Sequence, residues 1–497
     1  MVGYVPLFRK TLFAGTPPTL FFFEKTDYLL RFFGNFIHGY LLAGSGWGKS
    51  QTLQLLITHI LKKAQQGYCG ATIIDSSMDM ISTLSHLQRF FSPKAKNSLF
   101  SRTVYADFAE LESQLNLNPF GASQKGQNPT EIERDGNIAV ATIGYLIRQI
   151  YGASITSKQN GLIKQVARLL SVINRATIHT LREIVQDTDG KELNEPGGKF
   201  YPYVQKLPPL SQEFFKNEWP KTGTGGYDKT KDEILSRLWG ILANPSFARV
   251  ISSPNNALDF GDAMQKGKIM FFHTARDHMM EEAGLLGSCI IAMLNRAILQ
   301  RSAIPPEQRK PHFIFVDESH EYFRNDFETF REMLKQARKM NVFICFAHQD
   351  IADLPATLKN TIENNIGTVF ISGGSQSASS AWADKLRWKK EEIMHLKRVH
   401  KKYGEFALYA DGITEKAVKI RIPFGLINRL PAMKTPEGED TADFKALVQA
   451  SRDKYGTKTK KLVGSKEPDL NNSPTPPKPR LGKPRLGKVR IEPAPQN

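Results

Sequence analysis

"HGYLLAGSGWGKS", residues 38–50, decides how this chain is read. An apolar run breaks into a glycine-rich turn and ends in Lys-Ser. A loop of the form G-x-x-x-x-G-K-[ST] turns its backbone N–H groups onto phosphate, sends its Lys to the β/γ oxygens and offers its hydroxyl to Mg²⁺. Gly44, Gly46 and Gly48 permit the sharp path, because glycine tolerates positive φ and close approach. Lys49 and Ser50 open a helix whose N-terminus favours negative charge. Ala43 stands where the strict pattern has Gly, but at a strand exit the backbone is still extended and a methyl group costs little. The stretch Ala43, Gly44, Ser45, Gly46, Trp47, Gly48, Lys49, Ser50 and Gln51 is therefore the expected nucleotide contact, with Ser50 also a metal ligand. Trp47 is unusual in such a loop. Its side chain is expected to point away from the phosphates, onto a neighbouring subunit or the base.

Outward from the loop the pattern repeats. "GYLLAG" reads as a buried strand and "SQTLQLLITHILKKA" as a helix of period 3.6. "GATIIDSS", "MISTLSHLQRFF" and "RTVYADF" continue strand, helix, strand. Such alternation predicts an α/β fold with a mostly parallel sheet covered by helices. Between residues 121 and 260 strand signals vanish and stretches such as "GNIAVATIGYLIRQIYG" and "DEILSRLWGILAN" predict a helical insertion. Alternation resumes with "KIMFFH", "EEAGLLGSCIIAMLNRAILQR", "HFIFVDE", "VFICFAHQ" and "GTVFISG". "KYGEFALYADGITEKAVKIRIPF" alternates like an antiparallel edge pair. The expected organisation is a lead-in over 1–37, a first half of the nucleotide domain over 38–120, the insertion over 121–260, the second half over 261–430 and a tail over 431–497. The tail holds a tandem KPRLG repeat rich in Pro and Lys, a composition that predicts disorder.

"HFIFVDESHEYF" puts two carboxylates at the tip of an apolar strand. Asp317 suits a carboxylate that supports Mg²⁺. Glu318 suits the base that orients and deprotonates an attacking water. Read alone, the pair is as well explained by a cap on the following helix; the phosphate loop upstream tips the reading to hydrolysis. "VFICFAHQD" is a second apolar strand with a polar tip, which makes Gln349 the expected γ-phosphate sensor. Arg338 is the first choice for an arginine donated by a neighbouring subunit, with Arg331 and Arg276 as competitors. A guanine-reading N-K-x-D step is absent from the sequence, so ATP is preferred.

Bulk properties bound the rest. The 497 residues carry a net charge of +18. Residues 451–497 hold twelve Lys/Arg against four Asp/Glu, so +8 of that charge sits in the tail. A basic body with a more basic tail suits an anionic partner, nucleic acid ahead of a membrane surface. Cys69, Cys289 and Cys345 are far apart in apolar settings, which argues for a reducing compartment and against a zinc or disulfide framework. "TLFFFEKTDYLLRFFGNFI" carries Glu24, Lys25, Asp27 and Arg31, too charged for a spanning helix.

The order of these motifs resembles the HerA–FtsK superfamily of P-loop ATPases. Within it the chain looks most like the conjugative type IV secretion ATPases, the coupling proteins of the TraG/TraD kind and their relatives. The likeness covers residues 38–425 and is most specific in "ARKMNVFICFAHQDIADLP" followed by "NNIGT". It implies a RecA-like P-loop NTPase interrupted by an all-α domain, with ATP and Mg²⁺ as cofactors. It implies Lys49 and Ser50 on phosphate and Mg²⁺, Asp317 and Glu318 as the acid pair, Gln349 as sensor and Arg338 as a finger in trans. It also implies a homo-hexameric ring, DNA as partner, and secretion or relaxase-type proteins as further partners. Two features depart from the family. Many coupling proteins begin with transmembrane helices and none is evident here, which points to the cytoplasm or a peripheral place at the inner membrane. His348 stands where a small residue or Thr usually precedes the Gln. The alternatives carried by the same motifs are a secretion-channel or pilus-assembly ATPase that does not bind DNA, and a nucleotide-gated scaffold.

Overall fold

The computed structural model describes residues 38–110, 113–121, 128–152, 155–323, 327–349, 362, 364–373 and 376–458. The aromatic lead-in, the "DIADLP" stretch and the KPRLG repeats lie outside the described residues.

Apolar runs of five to eight residues become the strands of one sheet. In chain order these are β1 (Gly39–Ala43), β2 (Gly70–Asp75), β3 (Thr103–Asp107), β5 (Ile269–His273), β6 (His312–Val316), β7 (Val342–His348), β8 (Thr368–Ser372), β10 (Tyr403–Ala410) and β11 (Val418–Pro423). The lateral order is β11-β10-β8-β1-β7-β6-β2-β5-β3, with the two-residue β9 (Arg398–Val399) pairing β10. From β8 to β3 every pairing is parallel. β10 and β11 complete the edge antiparallel, as their alternation predicts. Parallel strands buried on both faces read as continuous apolar runs, and β1, β2, β5, β6 and β7 are buried along their whole length.

The period of two sorts side chains between the faces. Tyr40 and Leu42 of β1 enter one apolar cluster, Leu41 and Ala43 the other. Helix α1 (Lys49–Gln65) covers the second face with Leu53, Leu56, Ile57 and Ile60. A short α2 (Asp79–Ser85) follows β2.

Between β4 (Ser113–Leu115) and β5 the chain forms only helices among its described residues, including α3 (Pro129–Tyr151), α4 (Ser157–Val172), α5 (Ile178–Gln186), α6 (Asp228–Leu242) and α7 (Pro245–Ile251). Their ends are written in the sequence. The Asn128 side chain accepts from the Glu131 amide at 3.0 Å, Pro129 occupies the first turn, and Gly152 closes α3 at φ 76°. Thr156 and Gln159 form a capping box on α4. This unit rests on α8 (Glu282–Gln300), which covers the first face of the sheet. The segment 282–303 is long and apolar enough to cross a membrane, and most of it is packed inside the fold.

After α9 (Phe327–Ala337) and α10 (Gln376–Leu386), the ordered chain runs further than the sequence suggests. The boundary at 431 is corrected. Helix α11 (Ala442–Tyr455) lays Phe444 and Leu447 into the second cluster, and β12 (Gly456–Lys458) pairs antiparallel with β4. Ser451 Oγ accepts from the Tyr105 amide at 2.8 Å and donates to its carbonyl at 3.0 Å, tying α11 to the β3 edge. All three cysteines are free and buried, and burial pushes each thiol up to about 12.

Candidate active site

β1 ends in the middle of the sheet, and its loop forms the floor of the site. Ala43 is fully buried and still in strand register with Ser372, so the methyl group sits where glycine is not required. Gly46 and Gly48 take φ of 72° and 101°, a region that L side chains avoid. Gly48 caps α1, and its carbonyl accepts from the Thr52 amide at 2.9 Å. Trp47 does point away from the phosphate side. It packs within its own chain, across Gly373 at the tip of β8 and with its backbone against Gly404 of β10. Trp47 stays half-buried there, and neither Ala43 nor the Trp47 side chain lines the cleft.

β6 delivers the acid pair beside this loop. Asp317 is buried and Glu318 takes a left-handed φ of 47°, with its amide donating to Asp317 Oδ1 at 2.9 Å. Lys49 Nζ donates to Asp317 Oδ1 and, at 2.7 Å, to Glu318 Oε1. Burial works against the Lys49 ammonium, but Asp317 and then Glu318 outweigh it and hold the Lys49 pKa above the ordinary lysine value. Burial is also the largest influence on Asp317 and pushes its carboxyl upward, against the pull of Lys49.

β7 lies between β1 and β6 in the sheet. Its tip therefore falls between the phosphate loop and the acid pair. Gln349 sits there, exposed, and its Nε2 donates to Glu318 Oε1. The other Glu318 oxygen, Oε2, is buried without a hydrogen bond and lies 3.6 Å from His320 Nδ1. Beneath this layer, the Ser319 hydroxyl donates to the Ala347 carbonyl at 3.1 Å and meets His348 Nε2 at 2.7 Å. With its proton given to Ala347, Ser319 accepts from His348. Burial first, then His320 and Lys49, push the His348 pKa well below the ordinary value. His348 is thus a neutral strut under Glu318, which accounts for a large residue at this place.

A cleft of about 670 Å³ opens above these groups. Its floor is Gly44, Ser45, Gly46, Gly48, Lys49 and Ser50. Its inner wall is Asp317, Glu318 and Gln349, with Ser77 and Asp79 from the β2 exit. Gln51 also borders it, but its Oε1 is occupied by the Gly425 amide at 2.9 Å. The opposite wall was not foreseen from the sequence: Arg398, His400, Lys401 and Phe424. The one local signal was the basic run "LKRVHKK" at 396–402, which reads equally as a solvated surface.

The expected arginines divide. Arg338 is exposed and precedes β7, so it stands at the opposite edge of the sheet from Gln349, separated by a seven-residue strand or roughly 20 Å. Arg331 lies on α9, 3.9 Å from Glu332. Arg276 lies near Glu318 but is paired with the buried Glu321.

The parts fit a magnesium nucleoside triphosphate. Gly44, Gly46 and Gly48 border the cleft beside Lys49, Lys49 bridges the two carboxylates, and Glu318 Oε2 is buried without a hydrogen bond. Among the described residues no group of three or more His, Cys, Asp or Glu side chains could hold a metal ion. Fold and site together define a RecA-like P-loop ATPase fold.

No protein-family model matches the sequence, and no curated protein matches it. Solved structures do. The plasmid coupling protein TrwB, in complex with the non-hydrolysable GTP analogue GDPNP, aligns with TM-score 0.50 and 13% identity over 81% of this chain and 88% of its own. A TrwB form in complex with sulphate aligns with TM-score 0.50 and 12% identity over the same shares. VirB4 of Thermoanaerobacter pseudethanolicus aligns more loosely, with TM-score 0.46 and 16% identity over 78% of this chain and 88% of that one. At these identities the likeness is one of fold: the chain shares the fold of the coupling protein TrwB.

Proposed function

We propose that this chain is an ATP-hydrolysing motor of conjugative DNA transfer or type IV secretion, working on DNA as a homo-hexameric ring. The observation that carries the reading is the meeting of Lys49 with Asp317 and Glu318, with Gln349 seated between the two motifs on β7. In this reading the amides of residues 44–50 and Lys49 hold the triphosphate. Ser50 and Asp317 would hold Mg²⁺, which supplies charge neutralisation on the phosphate oxygens. Glu318 takes a proton from the attacking water, the water oxygen bonds to the γ-phosphorus, and the bond from that phosphorus to the β–γ bridging oxygen breaks to release ADP and phosphate. Gln349, already bonded to Glu318, reports whether the γ-phosphate is present. Arg338 can serve the ring only from a neighbouring copy.

A pump of this kind gains its DNA affinity mainly from phosphate contacts and is salt-sensitive. Partners are DNA and secretion or relaxase-type proteins, at the cytoplasmic face of a membrane. ATP turnover measured with and without single- and double-stranded DNA tests the reading. Stimulation by DNA is expected. Turnover indifferent to every DNA length and strandedness, with no DNA binding at moderate salt, overturns the DNA-motor reading in favour of a secretion or pilus-assembly ATPase. Absence of any turnover leaves a nucleotide-gated scaffold.

A further inference from the structure

The geometry points to Arg398 as an arginine supplied by the same chain to the transferring phosphate. This rests on the proposed ATPase reading and adds to it a residue on the wall opposite Glu318.

The edge strands bring Arg398 there. β9 pairs with β10 through Arg398 and Gly404. Gly404 lies so close to the Trp47 carbonyl that a Cβ there would collide with it, so the hairpin is pressed directly onto the phosphate loop. Trp47, wedged over Gly373, holds the loop from the other side. In consequence the Arg398 guanidinium lies on Gly46: a Cβ at 46 would fall 2.7 Å from Nη2 and 2.9 Å from Nη1. Its Nη1 also reaches the Ser45 carbonyl at 3.4 Å, a long and weak hydrogen bond. Gly46 is thus constrained twice, by its φ of 72° and by the guanidinium above it.

The charge of Arg398 is unspent. Among the described residues no carboxylate pairs with it, and the group is exposed to the cleft that Lys49, Glu318 and Gln349 line. Arg276, by contrast, is committed to Glu321, and Arg338 stands at the far edge of the sheet. The planar fork of arginine matches phosphate oxygens in a bidentate way that a lysine does not. Ser45 and Gly46 belong to the half of the loop that precedes Lys49, whose ammonium addresses the β/γ oxygens. A guanidinium resting on them is placed to meet charge that grows on the β–γ bridging oxygen as its bond to phosphorus breaks. An arginine in that role can come from the same chain.

The test compares full-length wild type with R398A and R398Q in ATP turnover, in affinity for ADP and for a non-hydrolysable ATP analogue, and in thermal transition. R398A and R398Q are expected to lower kcat by about a hundredfold or more. ADP affinity is expected to stay within about threefold, because the arginine acts on charge made in the transition state. R398Q keeps a polar, shorter side chain without the charge, so it decides the matter if R398A loses its thermal transition. A kcat within about threefold of wild type in a folded variant overturns the inference. So does an equal loss of ADP and analogue affinity with kcat unchanged. A wild type that neither binds nor hydrolyses ATP instead removes the ATPase reading beneath it.

Discussion

His38 opens β1 with a buried imidazole whose two nitrogens have fixed duties. Nε2 donates to the Leu334 carbonyl at the end of α9, at 2.7 Å, and Nδ1 accepts the Ile344 amide of β7 at 3.1 Å. Only the neutral ring with its proton on Nε2 satisfies both. Burial is the main cause of its shift, partly opposed by the Leu334 carbonyl and aided by Arg338, and it lowers the pKa to about 4. The unfolded chain keeps the ordinary value near 6.5. Between these two values the unfolded state binds more protons than the folded one, so stability falls as pH drops. For His38 alone the loss from neutral pH is ~2 kcal/mol at pH 5 and ~3 kcal/mol at pH 4. His59 and His312, buried at about 4 and about 3, push in the same direction. Chemical denaturation of wild type and His38→Gln, followed by circular dichroism at pH 7.5 and pH 5, isolates the His38 share. At pH 7.5 the variant is expected to be less stable by about 1–3 kcal/mol, because a buried backbone group loses its partner. At pH 5 that gap should shrink or reverse, since the variant has no proton to take up. A gap that stays the same at both pH values refutes the reasoning.

Gly48→Ala is expected to cost about 1–3 kcal/mol of stability, because it combines a φ of 101° with a Cβ that would lie 2.7 Å from the Phe424 ring. Gly67→Ala, at φ 80° but in open space, is the control and should cost only about 1 kcal/mol in the same thermal melts. Truncation after Lys458 should leave the melting temperature unchanged while lowering DNA affinity and flattening its salt dependence. Truncation before α11 should lower the melting temperature by several degrees, since Phe444 and Leu447 leave the core.

The legible parts of this molecule were local. An apolar run followed by a polar tip names both a parallel strand and the chemistry at its end; Asp317, Glu318 and Gln349 lie on such tips, and Lys49 follows the β1 tip through the phosphate loop at the start of α1. Parallel strands deliver all their C-terminal tips to one edge, so these residues meet although 268 positions separate Lys49 from Asp317. The same rule explains why Arg338 is not beside them: it precedes its strand and stands at the other edge. The wall of Arg398 and Phe424 was illegible because an antiparallel edge hairpin bends it back over the loop, and no local pattern records that return. Trp47 was half legible; its direction follows from the loop, but its seat depends on Gly373 and Gly404, hundreds of residues away. The end of the fold was misplaced because α11 buries few large apolar side chains and reads as part of a polar tail.

Glu318 acting on a triphosphate held by Lys49 is the step on which the proposed function depends. The direct measurement is ATP binding and turnover, side by side, for wild type, Lys49→Ala and Glu318→Gln. Lys49→Ala should lose binding, while Glu318→Gln should bind ATP and retain it, with turnover reduced by about a hundredfold or more. Glu318→Gln turning over at the wild-type rate would contradict the account.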